Sequence, residues 1–144
     1  MPPPLFPEFP IPVRVLIVDD DDVFAGSLSA ILSGNPRLVV VDRGTDGVAG
    51  VSLALRHRPD VIVMDVNMPL LDGFVATREI RKRLPDARIV IVSGAPEAGH
   101  LAAARQVGAD VYLRKDCGFD TLAEAVADAG AGALDARPNA FIAG

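Results

Sequence analysis

The sequence predicts a three-layer α/β sandwich around a parallel five-stranded sheet. Five short apolar runs recur along the chain, each followed by a segment with apolar residues at helical spacing. The runs are apolar throughout rather than alternating, which marks strands buried on both faces and therefore covered by helices on both sides. Acidic and other polar residues stand at the carboxyl ends of several runs, where open α/β sheets bind ligands.

The elements follow in order. The first run is Val13 to Val18, and its helix begins after the aspartates, with Val23, Phe24, Leu28, Ile31 and Leu32 on one side. Gly34-Asn35-Pro36 ends that helix. The second run is Leu38 to Val41; its helix spans about Gly47 to His57, where Val48, Val51 and Leu55 share a face, and Pro59 stops it. The third run, Val61 to Met64, ends in Asp65, and its helix opens near Asp72, a good N-cap residue, carrying Phe74, Val75, Ile80 and Leu84. The fourth run, Ile89 to Val92, ends at Ser93, and an alanine-rich helix from about Glu97 to Val107 follows. The fifth, Asp110 to Leu113, precedes Lys115, and a last helix has Phe119, Leu122 and Val126 at helical spacing. Right-handed crossovers leave few topologies for this (βα)5 alternation, of which the flavodoxin-like order 2-1-3-4-5 is the commonest.

The chain has 144 residues, half of them hydrophobic, which fits one domain. We expect a proline-rich N-terminal arm over residues 1–12, a folded domain over 13–130 and a flexible tail over 131–144. Nineteen acidic against fourteen basic side chains give a formal charge of −5, which argues against direct nucleic-acid binding by a broad basic surface. Cys117 is the single cysteine, so no intramolecular disulfide can form, and a cytoplasmic location is expected. No apolar stretch approaches the ~20 residues of a membrane span, and the arm lacks the pattern of a signal peptide.

Asp19-Asp20-Asp21-Asp22 directly follows the first run. Like charges ~4 Å apart repel by roughly 4 kcal/mol at an effective dielectric near 20, so a cation, Mg²⁺ first, is expected beside them. In the 2-1-3-4-5 order, strands one, three, four and five are consecutive neighbours. Asp19, Asp20, Asp65, Ser93 and Lys115 then share one crevice. Carboxylates supply the hard oxygen ligands that suit Mg²⁺. A carboxylate held between that cation and a lysine stays ionised and can attack phosphorus, giving an aspartyl phosphate whose charge the metal and ammonium stabilise.

Five blocks carry a family resemblance: Val15-Leu16-Ile17-Val18-Asp19-Asp20; Asp60 to Pro69; Asp72-Gly73; Ile91-Val92-Ser93-Gly94-Ala95; and Gly108 to Asp116. Over roughly Val13 to Val126 the chain resembles the receiver domains of bacterial two-component response regulators, most of all those with a helix-turn-helix output domain. The resemblance implies that Asp65 is the phosphoacceptor. It implies that Asp20 binds Mg²⁺ directly, that Asp19 assists, and that Asn67 offers its backbone carbonyl. Ser93 is then the switch hydroxyl, Tyr112 the aromatic that follows it, and Lys115 the partner of the phosphoryl oxygen. Asn67 and Ala95 stand where receivers tune the phosphoryl lifetime. The implied partners are a histidine kinase or phosphotransfer protein and a C-terminal output domain, with homodimerisation through the face of the fourth helix, fifth strand and fifth helix. Many receivers have a cis proline after the lysine; here Asp116 follows, and a trans bond is expected.

Other readings stand beside this one. Asp21 and Asp22 match no receiver role and suit the start of the first helix. Lys115 could be an ordinary surface lysine and Tyr112 a packing residue. His57 and His100 are expected at the surface, far from the crevice, and Cys117 is expected to be structural. A phosphatase of the haloacid-dehalogenase type would need an acid where Asn67 stands, so the chain is not expected to be an enzyme. The remaining alternative is a receiver-fold interaction module not regulated by phosphorylation.

Overall fold

A computed structural model describes residues 11–95 and 97–132. The elements alternate as β1 (Val13–Val18), α1 (Asp22–Ser33), β2 (Leu38–Gly44), α2 (Gly47–His57), β3 (Val61–Asp65), α3 (Gly73–Arg83), β4 (Arg88–Ser93), α4 (His100–Gln106), β5 (Val111–Arg114) and α5 (Phe119–Gly130), with a short 3₁₀ turn over Lys115–Cys117. The strands form one parallel sheet in the order β2-β1-β3-β4-β5, as expected. The proposed arm lies outside the described residues except for Ile11 and Pro12, as does the tail beyond Gly132.

Both faces of the sheet are dry. Val15, Ile17, Val61, Val63, Val90, Val92, Val111 and Leu113 point to one side and pack on α1 and α5. Leu16, Val18, Ile62, Met64, Ile89, Ile91 and Tyr112 point to the other and pack on α2, α3 and α4. Successive side chains of a strand face opposite ways, so an uninterrupted apolar run fills both cores at once. At about 25 cal/mol per Å² of apolar surface removed from water, this double burial is the main term holding the layers together.

Aspartates start three of the helices. Asp21 accepts the backbone N–H groups of Val23 and Phe24, Asp46 that of Ala49, and Asp72 that of Val75. Each satisfies donors that the first turn leaves without partners. Asp22 is the first residue of α1, where its charge suits the helix dipole. At the other end of the sheet, Arg81 of α3 donates to Asp110 at 2.8 Å and to the carbonyl of Gly108. Arg88 also reaches Asp110, at 3.2 Å. The last turn of α5 is pressed against the start of β1, where a Cβ on Gly130 would overlap the side chain of Val13.

Three expectations need correction. β2 runs to Gly44, beyond Val41, because Asp42, Arg43 and Gly44 pair with Leu16, Ile17 and Val18. This is an edge strand, so its outer residues can be polar without ceasing to pair, and polarity hid them. α4 begins at His100 rather than Glu97: Gly99 is in the left-handed region, φ 88°, and leaves the helix with no side-chain cap. The two histidines are half-buried and bonded rather than loose on the surface. His57 Nε2 lies 2.8 Å from Asp42, and the side chain of His100 is only 13% exposed. No cis peptide bond occurs among the described residues, as expected for Lys115–Asp116, and no described helix is long and apolar enough to cross a membrane.

Candidate phosphoacceptor and metal site

The crevice lies at the carboxyl ends of β1 and β3. β1 delivers Asp19 and Asp20; β3, hydrogen-bonded beside it, delivers Asp65. One carboxylate oxygen from each of the three acids lies within 4.8 Å of the other two. Asp19 and Asp65 are buried, whereas Asp20 is exposed. Asp19 Oδ1 is fixed by the N–H of Asp21, at 2.8 Å. Its other oxygen pairs with Lys115 Nζ at 2.8 Å, and the same ammonium stands 3.4 Å from Asp65 Oδ1. The chain therefore brings Asp19, Asp20, Asp65 and Lys115 into one cluster.

The electrostatics follow from burial. Loss of water around Asp65, together with the negative charge of Asp19 and a hydrogen bond shared with Asp20, pushes its pKa up from 3.8 to about 7 against the pull of Lys115. Desolvation alone would lower the pKa of Lys115, but its contacts with Asp19 and Asp65 outweigh that and raise it. The lysine is charged and the acids are crowded. Such a set gains from a further cation, since a metal favours the ionised carboxylates that burial disfavours. Three carboxylate oxygens, one of them open to solvent, match the hard ligands and retained waters of Mg²⁺.

Neighbouring residues complete the site. Ser93 ends β4, next to β3; its Oγ is buried and has no hydrogen-bond partner among the described residues. A buried hydroxyl without a partner is unfavourable by about 1–3 kcal/mol, and an acceptor arriving at Asp65 would relieve it. Asn67 lies exposed in the bend after β3, with its carbonyl two residues beyond Asp65. Tyr112 is not in the crevice. It is buried on the α4 side of the sheet, and its hydroxyl is 3.4 Å from Nδ1 of His100. Cys117, in the turn after Lys115, is partly buried; burial and the nearby charge of Asp116 raise its thiol pKa, which does not favour a nucleophile.

Three residues have a part in the site that the sequence analysis did not assign them. Phe24, in the first turn of α1, places its ring 4.4 Å under Lys115 Nζ and stacks on Phe119 at 5.4 Å. That contact adds a cation–π attraction to the ion pairs that hold the ammonium in place. Gly73 lets α3 close on β3: a Cβ there would overlap the carbonyl oxygen of Asp65. His100 touches Tyr112. Only Gly73 was signalled, by its place after an N-cap acid; the other two depend on how helices lie over the sheet.

Comparison with known proteins agrees with the geometry. Residues 15–127 match the model of the response regulator receiver domain. The chain is 36% identical over 79% of its length to the transcriptional regulatory protein DegU of Brevibacillus brevis, covering 48% of that protein. It is 33% identical over 83% of its length to the transcriptional regulatory protein LiaR of Bacillus subtilis, covering 57% of it. It also matches, at 42% identity over 72% of its length, a protein-glutamate methylesterase/protein-glutamine glutaminase of Methanospirillum hungatei, of which it covers 30%. The chain thus spans about half, or less, of the curated relatives it matches. Among solved structures, the signal receiver domain of NarL from Mycobacterium tuberculosis superimposes with a TM-score of 0.81 at 32% identity, over 85% of this chain and 99% of that one. With its sheet order, its acid cluster and a match over residues 15–127, the chain belongs to the response-regulator receiver domain family of two-component signalling.

Proposed function

We propose that Asp65 is the phosphoacceptor and that the domain is switched by its phosphorylation. One observation carries the reading: a buried carboxylate sits between two further acids and a lysine, beside a buried serine hydroxyl that has no partner among the described residues. Asp65 in its ionised form attacks phosphorus, and the bond from phosphorus to the donor's histidine nitrogen breaks. Its electron pair stays on that nitrogen, and Asp65 becomes an acyl phosphate. Asp19, Asp20, Asp65 and the backbone carbonyl of Asn67 would hold Mg²⁺, which would neutralise charge on the transferring group. Lys115 pairs with a phosphoryl oxygen, and Ser93 donates its hydroxyl to another.

Ser93 and Tyr112 then rearrange, and the face of α4, β5 and α5 changes what it binds. The donor is a histidine kinase or phosphotransfer protein in the cytoplasm. The receiver relays its state to a C-terminal output domain, of the DNA-binding kind suggested by the transcriptional relatives, or to a second copy through that face. The domain itself acts as a switch rather than as an enzyme. Incubation with Mg²⁺ and a small phosphodonor, followed by intact mass measurement, tests this. One labile phosphate should appear on the wild type and none on Asp65→Asn; no uptake by the wild type, or equal uptake by the variant, would overturn the assignment.

A further inference from the structure

We propose that His100 is a positioning residue that latches Tyr112 to the start of α4 while Asp65 is unmodified. The proposal rests on the phosphoacceptor reading above and adds a residue to it.

His100 is the first residue of α4, and no side chain caps that helix. Nδ1 of its ring faces two donors, the Tyr112 hydroxyl at 3.4 Å and the backbone N–H of Glu97 at 3.3 Å. It can accept from them only when it carries no proton, which leaves the ring hydrogen on Nε2, 3.9 Å from the Glu97 carboxylate. One tautomer therefore serves all three contacts. Both bonds to Nδ1 are long, as when a single lone pair is shared between two donors. The ring is also wedged edge-on between Phe74, at 5.3 Å, and Tyr112, at 6.3 Å.

Beyond its first residue α4 carries few large side chains, with Leu101 partly buried against the core. Ala102, Ala103 and Ala104 occupy its middle, and Ala104 is its only fully buried residue. His100 therefore acts beside Leu101 in setting where the helix starts, and does so through Tyr112.

Tyr112 in turn stands diagonally across from the switch residue on the same face of the sheet. Ser93 and Ile91 share one face of β4, and Tyr112, paired with Ile91, occupies the same face of β5. Movement of Ser93 toward Asp65 would open space on that face, on the Tyr112 side of β4. If the ring takes that space, its hydroxyl leaves Nδ1, and the Glu97 N–H keeps the lone pair alone. The shared acceptor thus has two discrete arrangements, and a contact made in only one state biases the equilibrium between them.

Tyr112 is the sole tyrosine and there is no tryptophan, so its emission reads the switch directly. Wild type, His100→Phe and His100→Asn are titrated with beryllofluoride at fixed Mg²⁺. The Phe ring preserves packing against Phe74 but offers no acceptor. The loss of one hydrogen bond from the resting state should lower the beryllofluoride midpoint by roughly two- to tenfold. The emission of unliganded His100→Phe should already lie toward that of the liganded wild type. In His100→Asn, a carbonyl oxygen stands near the position of Nδ1, and the midpoint should move back toward wild type. A His100→Phe midpoint equal to wild type, or His100→Asn behaving as His100→Phe, would overturn the latch alone. A wild type that ignores beryllofluoride would overturn the acceptor reading and the latch with it. Should the Phe ring fail to seat, His100→Leu carries the same expectation.

Discussion

Lys115 is tied more closely to Asp19 than to Asp65, at 2.8 Å against 3.4 Å. In the resting crevice the ammonium thus leans toward the β1 acids and partly neutralises a group that would otherwise repel the acceptor. Removing it leaves three carboxylates facing one another. Lys115→Met should lose about 3–5 kcal/mol of stability at pH 8 without metal, the range for breaking a buried ion pair by removing one partner. The loss should shrink near pH 5, where Asp65 is protonated. Urea unfolding at the two pH values checks this, and a pH-independent loss would argue against the shared cluster.

Asp65 has its own pH signature. Its pKa stands at about 7 in the fold and 3.8 as an ordinary carboxyl. Between those values the folded chain binds more protons than the unfolded one, so stability falls as pH rises through the window. Asp65→Asn removes this contribution. In metal-free buffer the variant should exceed wild type by on the order of 2–4 kcal/mol at pH 8 and lose the advantage below about pH 4. Equal stability at pH 8 would contradict a desolvated Asp65.

Mg²⁺ and protons compete for the same carboxylates. Addition of millimolar Mg²⁺ should raise the melting temperature at pH 8 more than at pH 5.5, because binding at the lower pH must first displace a proton. Chelation should restore the metal-free value. Asp20→Asn should weaken the effect; a full Mg²⁺ response in that variant would exclude Asp20 as a ligand.

Gly73 has no room for a methyl group. Gly73→Ala would drive its Cβ into the Asp65 carbonyl, so α3 must shift away from β3. Ordinary overpacking costs about 1–3 kcal/mol, and the displacement reaches the acceptor strand itself. We expect a loss in that range by urea unfolding, together with slower phosphorylation by a small phosphodonor.

Thr77, buried in α3, offers a change in the opposite direction. Its hydroxyl has no hydrogen-bond partner among the described residues. Thr77→Val keeps the shape and removes the unmatched polar atom, so stability should rise by about 1 kcal/mol. A destabilised variant would reveal a partner for that oxygen.

The sheet and most of the crevice were legible in the sequence for one reason. A strand buried on both faces must be apolar throughout, so the polar residue that ends the run is conspicuous. Asp19, Asp65 and Ser93 all stand at such ends. Lys115 is one step further on, and its role depended on the pattern of the whole set. What was hidden depends on helix placement. Nothing local in Phe24 tells that its ring will lie under Lys115, and nothing in His100 tells that it will meet Tyr112. The link from Arg81 to Asp110 joins α3 to the start of β5, and no short-range spacing announces it. The length of β2 was missed because an edge strand may carry Asp42 and Arg43 and still pair.

The meeting of Gly130 with Val13 fixes where the main chain departs. α5 finishes beside the start of β1, at the pole of the molecule farthest from the aspartates that close that strand. The end of α5 and the acid crevice thus lie at opposite ends of the sheet. For the end of α5 to feel an added phosphate, the change has to cross the helix layers that flank the sheet.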